Sequence, residues 1–374
     1  MPRFTIHLVA GARPNYVKIA ALCRAFRDYR SAHPKSPVTV RVINTGQHYD
    51  YLMSKTFFRE LGIPKPAEDL GVGSGTHADQ TARIMIAYEA VVQRDKPDLV
   101  IVVGDVNSTM ACTLVAAKLL IPVAHVEAGL RSRDRAMPEE INRLVTDVLA
   151  DHLYTTSADA NVNLRNEGVP ASKIQLVGNV MVDTLLTNLA RARTSGIHRR
   201  LALKEPYAVL TLHRPSNVDH DEDFLQLLKA LERIQRRIHI VFPVHPRTAA
   251  RLKEGPLGAR IRALSNLQMI DPLGYRDFIC LLDRARLVLT DSGGIQEETT
   301  VLGVPCLTLR ENTERPVTID AGTNVLAGKK AARIIKLAEA ILDAPARRRA
   351  RRPTRWDGRA AERIVTSLAQ RYGF

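Results

Sequence analysis

The sequence predicts an α/β protein built from two doubly wound, Rossmann-like domains. The chain has 374 residues, more than a single hydrophobic core usually supports. Short β-branched apolar runs alternate with amphipathic segments, which is typical of a parallel sheet with crossover helices. The alternation pauses over a polar stretch, 184–206, which we interpret as a linker region, and then restarts. We expect the domains to cover residues 1–172 and 173–357.

Each predicted strand is a short run of apolar, often β-branched residues. The predicted strands of the first half are RFTIHLVA, VTVRVINT, DLVIVVGD, PVAHVEA, DHLYTTS and IQLVGN. Those of the second half are YAVLTLH, IHIVFPVH, LQMID, RLVLTDS and PCLTLR.

Composition indicates an ordinary globular protein, with 45% hydrophobic and 25% charged residues. No apolar run reaches the ~20 residues that a membrane-spanning helix needs. The opening MPRFTIHLVAGARP ends its apolar run in a Gly/Arg/Pro turn, so we interpret it as a first strand and not an export signal. The four cysteines are scattered and form no C-x-x-C pair. We therefore expect a reduced, cytoplasmic protein without disulfides.

The formal net charge of +15 raises the question of a nucleic-acid partner. The densest basic run, PARRRARRP (345–353), has no interleaved aromatic residues on which bases could stack. We interpret the run as a solvated face or loop and expect no nucleic-acid partner. A basic chain also suits an acidic substrate such as a nucleotide sugar.

Polar residues directly follow most of the predicted strands. In open α/β sheets, ligands bind beyond the carboxyl ends of the strands, so these residues should converge. The segments are GARP (11–14), TGQH (45–48), GDVNST (104–109), HVEAG (125–129), LHRPSN (212–217), PVHPR (243–247) and DSGG (291–294).

Acidic residues at two strand ends and one predicted helix start are candidates for proton transfer. Asp105 follows a fully apolar strand, although DVNST could instead begin a helix with Asp105 as its N-cap. Glu127 ends a strand among small residues, where a carboxylate is hard to explain by packing; Arg131 could pair with it in a structural salt bridge. Glu139 and Glu140 follow a proline in what resembles the first turn of a helix, where one of them could merely favour the helix dipole.

The second half supplies cations at its strand ends. His213 and Arg214 end one predicted strand, and His245 ends the next. These side chains could neutralise a diphosphate together with three others: Arg13, Lys18 and Arg315.

The segment DSGGIQEE (291–298) combines two opposed signals. Two glycines at the start of a helix expose backbone N–H groups that attract anions. Glu297 and Glu298 follow within one turn, and carboxylates repel phosphate.

Other site chemistries are not supported. The chain lacks a G-x-x-x-x-G-K-[ST] loop, a G-x-G-x-x-G turn after its first strand, a G-x-S-x-G elbow and any His/Cys cluster with zinc spacing. The acidic triplet DED (221–223) resembles the acid pair of metal-dependent sugar transferases but more readily opens an exposed helix. We expect neither a cofactor nor a metal.

Ten motifs together carry a family resemblance. In order they are GARPNYVK, TGQHYD, VVGDVNST, IPVAHVEAGLRS, MPEEINR, VGNVMVD, PVHPR, TDSGGIQEE, LGVPCLTLRENTERP and AGTN. The set resembles the non-hydrolysing UDP-N-acetylglucosamine 2-epimerases along nearly the whole chain. This resemblance implies a GT-B-like fold with the active site in the cleft between the domains, a homodimer, and no metal or nicotinamide. It also implies that a final helix, 358–374, packs on the first domain.

The implied chemistry accounts for the residue types. The C2 hydrogen of an amino sugar is weakly acidic, so the family eliminates UDP across C1–C2 and then re-adds it after C2 is protonated from the other face. The site needs carboxylates near the sugar and positive groups at the departing diphosphate. By motif, the catalytic carboxylates are Asp105, Glu127 and Glu139; which of them takes the C2 proton stays open.

The resemblance also assigns residues to the UDP moiety. His213 stabilises the leaving diphosphate, assisted by Arg13 and Lys18. Ser292, Gly293 and Gly294 bind phosphate, and Glu298, four residues after Gly294 on the same helix face, accepts hydrogen bonds from the ribose. Glu297 points elsewhere and is structural. The remaining assigned residues are His245 in the binding site, Leu273 and Phe278 beside the uracil, and Arg315 near the nucleotide.

Some motifs depart from the better-known bacterial members. This chain has GARPN, LHRPS and QHYDYLM where those members have GTRPE, GHRRE and QHREM, and the last segment is tied to allosteric activation in them. The variant set is similar to relatives acting on UDP-2,3-diacetamido-2,3-dideoxyglucuronate, an alternative substrate. Two other classes stay open: a GT-B glycosyltransferase, and a nucleic-acid-binding protein on the strength of the charge.

Overall fold

The computed structural model describes residues 3–47, 57–253, 255–345 and 352–374. Most of the basic run 345–353 and of the segment QHYDYLM (47–53) lies outside these residues. The chain forms two compact units, one of residues 1–187 and 354–374 and the other of residues 188–353. No helix among the described residues is long and apolar enough to cross a bilayer.

The first unit is built on a seven-stranded parallel sheet of order β3-β2-β1-β4-β5-β6-β7. Its strands are β1 Phe4–Ala10, β2 Val38–Asn44, β3 Glu68–Asp69, β4 Leu99–Val103, β5 Val123–Ala128, β6 His152–Thr155 and β7 Ile174–Leu176. Its helices are α1 Arg13–Ala32, α2 His77–Asp95, α3 Asn107–Lys118, α4 Pro138–Leu149 and α5 Ala158–Asn166, with α6 Val180–Arg193 leading into the second unit.

The central strand β4 is apolar throughout, as expected where helices cover both faces of a sheet. Every residue of β4, LVIVV, is buried, as expected of a strand inside a parallel sheet. Strand β7 pairs with β6 at the edge of this sheet. It therefore belongs to the first unit, although the sequence predicted a domain boundary earlier, at residue 172. The last helix, α16 Ala360–Tyr372, packs on α1, and Asp183 accepts hydrogen bonds from the first backbone N–H groups of that helix.

The second unit repeats the plan with six strands in the order β10-β9-β8-β11-β12-β13. Its strands are β8 Tyr207–Thr211, β9 His239–Pro243, β10 Leu267–Ile270, β11 Leu287–Thr290, β12 Cys306–Thr308 and β13 Asn324–Leu326. Its helices are α7 Ile197–Arg200, α8 Pro215–Val218, α9 Asp221–Ile234, α10 Pro246–Leu252, α11 Pro256–Arg262, α12 Tyr275–Arg284, α13 Gly293–Leu302, α14 Val317–Asp320 and α15 Ala331–Asp343.

Every strand predicted from the sequence is present, and the two-sheet α/β architecture is confirmed. The acidic triplet at 221–223 does open an amphipathic helix, α9, whose apolar face is buried. Because all strands are parallel, their carboxyl ends lie along one edge of each sheet. The predicted site residues lie at these two edges.

Candidate active site

Asp105 lies just beyond the end of β4 and is held by a buried arginine. Its Oδ2 is 2.5 Å from Nη1 of Arg143 on α4, whose side chain is 1% exposed. Helix α3 begins only at Asn107, and its N-cap residue is Val106. The alternative that Asp105 serves as a helix N-cap is therefore wrong.

Glu127 occupies a strained position in the adjacent strand. The register of β5 against β6 shifts between Val126 and Ala128, so Glu127 sits at a β-bulge, and its φ is +76°. This left-handed backbone is costly for a residue with a Cβ and is characteristic of functional sites.

The carboxylate of Glu127 forms a buried ion pair with Lys18 on α1. Both side chains are almost fully buried. A Cβ on Gly104 would lie 2.6 Å from the Lys18 ammonium, so a glycine after β4 makes room for this cation. The sequence assigned Lys18 to the diphosphate, whereas the structure places its ammonium on Glu127.

Arg131 does not contact Glu127. Its guanidinium lies 2.7 Å from Asp147 and 2.6 Å from Glu167. The alternative of a structural Glu127–Arg131 pair is therefore wrong.

Glu139 and Glu140 have different surroundings in the first turn of α4. Glu140 is buried and accepts hydrogen bonds from the backbone N–H groups of Ser132 and Arg133, each at 2.9 Å, and from Arg143. Burial alone would raise the pKa of Glu140. The Ser132 N–H and the Arg143 guanidinium outweigh this effect, so the pKa lies below its usual value. Glu140 is thus structural, while Glu139 is only half-buried.

Arg13 begins α1 at the end of β1. Its guanidinium lies over the ring of Phe57, 5.2 Å from the centroid, which is a cation–π contact. The first unit thus gathers Asp105, Glu127, Lys18 and Arg13 at the carboxyl edge of β1, β4 and β5.

In the second unit, Asp291 organises the strand ends. It is fully buried, and its carboxylate lies 2.7 Å from His213 Nδ1. It also accepts hydrogen bonds from the backbone N–H groups of His213 and Arg214 at 3.0 and 2.9 Å, and from the Asn217 amide at 3.2 Å. Burial would raise the pKa of Asp291, yet His213 and these donors lower it to about 2.

Asp291 therefore holds His213 by one of its two ring nitrogens. Its Nδ1 faces Asp291, and its side chain is 39% exposed. The ring centroids of His213 and His245 are 5.7 Å apart. Both histidines were predicted to bind the diphosphate, and their rings lie close together.

Helix α13 starts with Ser292 as its N-cap. The Ser292 side chain makes no capping hydrogen bond, and backbone N–H groups at a helix start can bind an anionic ligand. A Cβ on Gly293 would lie 2.4 Å from a guanidinium nitrogen of Arg315, so glycine lets Arg315 pack against the turn. Gly294 is half-buried beside it.

Arg315 lies next to this turn, as expected, but its charge is engaged within the protein. Its Nε is 2.9 Å from Glu297, and it also contacts Glu314. Arg310 lies 2.7 Å from the other oxygen of Glu314. Glu297 is therefore structural, in keeping with the sequence interpretation.

Glu298 is buried beside Glu297 and interacts with the hydroxyl of Tyr275. Burial, followed by the charge of Glu297, raises the pKa of Glu298 to about 8, although Tyr275 opposes the shift. Burial, followed by the charge of Glu298, in turn raises the pKa of Tyr275. A ligand that donates hydrogen bonds to this carboxyl group would stabilise its ionised form.

Leu273 and Phe278, the residues expected at the uracil, follow β10 along the chain. Leu273 lines a cavity of about 870 Å³ with Val244, Pro246 and Ile270. Phe278 is half-buried on α12.

A family model described as UDP-N-acetylglucosamine 2-epimerase matches residues 30–369. The chain belongs to this family. The UDP-N-acetylglucosamine 2-epimerase of Methanocaldococcus jannaschii is 41% identical to it, over 97% of this chain and 98% of the relative. The UDP-2,3-diacetamido-2,3-dideoxy-D-glucuronate 2-epimerase of Pseudomonas aeruginosa is 41% identical, over 89% and 91% of the respective chains.

Solved structures of 2-epimerases agree with this assignment. The M. jannaschii UDP-GlcNAc 2-epimerase, crystallised with UDP-GlcNAc and UDP, matches with a TM-score of 0.91 at 41% identity, covering 98% of this chain and all of that one. The Neisseria meningitidis UDP-GlcNAc 2-epimerase bound to UDP-GlcNAc matches with a TM-score of 0.87 at 28% identity, again over 98% and 100%. The family resemblance inferred from the motifs is confirmed.

Sequence reasoning about this 2-epimerase missed the partners of its candidate residues. Arg143 carried a weak signal, since it lies four residues after Glu139 on the same helix. Asp291 was quoted in the DSGG motif but given no role. Tyr275 and Asp147 gave no local signal, because their contacts with Glu298 and with Arg131 join residues far apart in sequence.

Proposed function

We propose that this 2-epimerase inverts C2 of a UDP-2-acetamido sugar, interconverting UDP-GlcNAc and UDP-ManNAc. The observation that carries the proposal is the pair Asp105 and Glu127, which end adjacent strands and each contact a buried cation. Carboxylates at these strand ends are suited to act as general bases toward the weakly acidic C2 hydrogen. The second unit supplies a helix start and histidines suited to a diphosphate.

The reaction proceeds by elimination and re-addition. A carboxylate takes the C2 proton, the C–H electron pair forms the C1=C2 double bond, and the C1–O pair leaves with UDP. The carboxylates for the proton transfers are Asp105, Glu127 and Glu139. Protonation of C2 from the opposite face and return of UDP to C1 complete the epimerisation. The cycle is redox-neutral, so it requires neither nicotinamide nor metal.

His213 stabilises the negative charge on the departing diphosphate. Asp291 fixes Nδ1 of His213, which leaves Nε2 to face the ligand. Ser292, Gly293 and Gly294 bind phosphate through hydroxyl and N–H groups. Arg13 and His245 add positive charge for the phosphates, Lys18 pairs with Glu127, and Arg315 braces the turn.

Glu298 binds the ribose hydroxyls. A buried carboxylate beside Glu297 gains from two O–H donors, which favour its ionised form. Leu273 and Phe278 border the uracil. Replacing Glu298 by Gln should chiefly weaken UDP binding measured by calorimetry; an unchanged Kd would count against the ribose role.

Mutation of the acids separates catalysis from binding. Asp105→Asn and Glu127→Gln should cut turnover while leaving UDP affinity within about 1 kcal/mol, since those acids face the sugar. Full specific activity in the folded fraction of either variant would assign that acid to structure alone.

The substrate is either UDP-GlcNAc or a UDP-2,3-diacetamido-2,3-dideoxyglucuronate. The motif variants and the 41% identity to the P. aeruginosa relative favour testing both. NMR of a panel of UDP-sugars incubated with the enzyme should show a manno epimer from one of them. Transfer to an acceptor without any epimer would instead indicate a glycosyltransferase.

We further propose that the enzyme is a homodimer in the cytoplasm that feeds surface polysaccharide biosynthesis. Three neighbouring parts of the first unit expose apolar side chains: Ile86 on α2 (72% exposed), Leu120 just after α3 (91%) and Val148 on α4 (73%). Light scattering should give twice 41.5 kDa. Val148→Asp should halve the mass, and Val162→Asp on α5 should not; a monomeric wild type contradicts the dimer.

A further inference from the structure

His125 links the two strands that carry the proposed catalytic acids. It lies on β5 two residues before Glu127, and its ring is fully buried. Its Nε2 lies 2.8 Å from the carbonyl oxygen of Gly104, the residue directly before Asp105. One side chain thus connects the backbone beside one acid to the strand that ends in the other.

Asp147 on α4 completes the connection. Its Oδ1 lies 2.6 Å from His125 Nδ1, and its Oδ2 accepts a hydrogen bond from the Gly129 backbone N–H at 3.0 Å. His125 and Gly129 lie on either side of Glu127, so one carboxylate holds both ends of the strained bulge. A left-handed non-glycine residue persists only where its surroundings fix it in this way.

The hydrogen-bond partners determine which atoms donate. The carbonyl of Gly104 only accepts, so His125 Nε2 must carry a proton. Asp147 Oδ1 faces the other ring nitrogen, Nδ1, so the ring cannot turn without losing both bonds.

We propose that His125 and Asp147 are positioning residues that fix Asp105 and Glu127 relative to each other for the C2 proton transfers. The inference rests on the proposed epimerase function. The link through Gly104 sets the backbone before Asp105, and the clamp on Gly129 sets the backbone after Glu127. Neither residue needs to touch the substrate.

Two substitutions at His125 separate positioning from packing. Counted in bonds from Cβ, the amide nitrogen of Gln matches Nε2 and that of Asn matches Nδ1. His125→Gln therefore keeps the bond to Gly104, whereas His125→Asn keeps the bond to Asp147. Each variant loses one buried hydrogen bond, so their thermal unfolding midpoints should be similar.

Their steady-state kinetics should differ. We expect kcat of His125→Asn to fall at least about tenfold below that of His125→Gln, because only the Asn variant loses the Gly104 bond that ties β5 to the backbone before Asp105. A displacement of about 1 Å between reacting groups can cost 10²-fold in rate. The KM of both for the UDP-sugar should stay within about threefold of wild type. Equal kcat values in the two folded variants would overturn the inference. A wild type that epimerises no UDP-2-acetamido sugar would instead refute the proposed function.

Asp147 offers a second comparison should a His125 variant fail to fold. Asp147→Asn keeps an acceptor for the Gly129 N–H and a partner for His125, whereas Asp147→Leu keeps neither. We expect kcat of the Leu variant to lie at least about tenfold below that of the Asn variant. Equal kcat values in folded protein would again contradict the positioning role.

Discussion

The buried carboxyl group of Glu298 should make the stability of the protein depend on pH in an unusual direction. Burial and the neighbouring Glu297 raise its pKa from 4.5 to about 8. Between these values the folded protein holds a proton that the unfolded chain releases. Stability contributed by this group therefore falls as the pH rises from about 4.5 to about 8.

The magnitude follows from the shift. A rise of 3.5 units corresponds to about 5 kcal/mol at about 1.4 kcal/mol per unit. Between pH 5 and pH 8 the wild type should lose about 3 to 4 kcal/mol of this. Glu298→Gln replaces the group with a neutral amide, so the variant should gain that amount relative to wild type over the same range.

Urea unfolding monitored by circular dichroism at pH 5 and pH 8 measures this difference. Glu222→Gln is a matched control, because Glu222 is exposed on α9 and its replacement should leave the pH dependence unchanged. An unfolding free energy of Glu298→Gln that changes with pH as much as the wild type would refute the reasoning.

Three further predictions concern buried ionisable side chains. Lys18→Met leaves Glu127 buried without its cation and should cost about 3–5 kcal/mol in urea unfolding; the double variant with Glu127→Gln should regain part of this, and no recovery would argue against the pair. Burial lowers the pKa of His152 from 6.5 to about 4, so the wild type should lose about 3 kcal/mol between pH 6.5 and pH 4. His152→Gln should flatten that loss, and an unchanged slope would contradict it. Asp291→Asn frees the ring of His213 and should lower kcat on the order of 10²-fold, with a smaller effect on thermal stability; wild-type kcat would assign Asp291 to folding alone.

The fold could be predicted because most of its strands are recognisable from their own run of apolar residues. Strands such as LVIVV of β4 are apolar at every position, and the polar segments after them mark their carboxyl ends. The strands that the sequence missed, Glu68–Asp69 and Asn324–Leu326, have two and three residues. Such short strands pair at sheet edges and need no recognisable pattern of their own.

The sequence predicted where the candidate site residues lie in the fold, but not which side chains they pair with. The strand-end rule found Asp105, Glu127 and His213, because parallel strands bring their ends to one edge. It could not choose the cation of Glu127: Arg131 is four residues away, yet the partner is Lys18 from another element. Such choices depend on side-chain direction across elements, which sequence spacing does not encode.

The central claim is that carboxylates of the first unit remove and return the C2 proton of a UDP-2-acetamido sugar. Incubation of the wild-type enzyme with UDP-GlcNAc and, in parallel, the diacetamido glucuronate in D₂O tests it most directly by NMR. We expect loss of the H2 signal and deuterium at C2 in both epimers of the true substrate. Absence of exchange at C2 in every UDP-2-acetamido sugar tested would contradict the account.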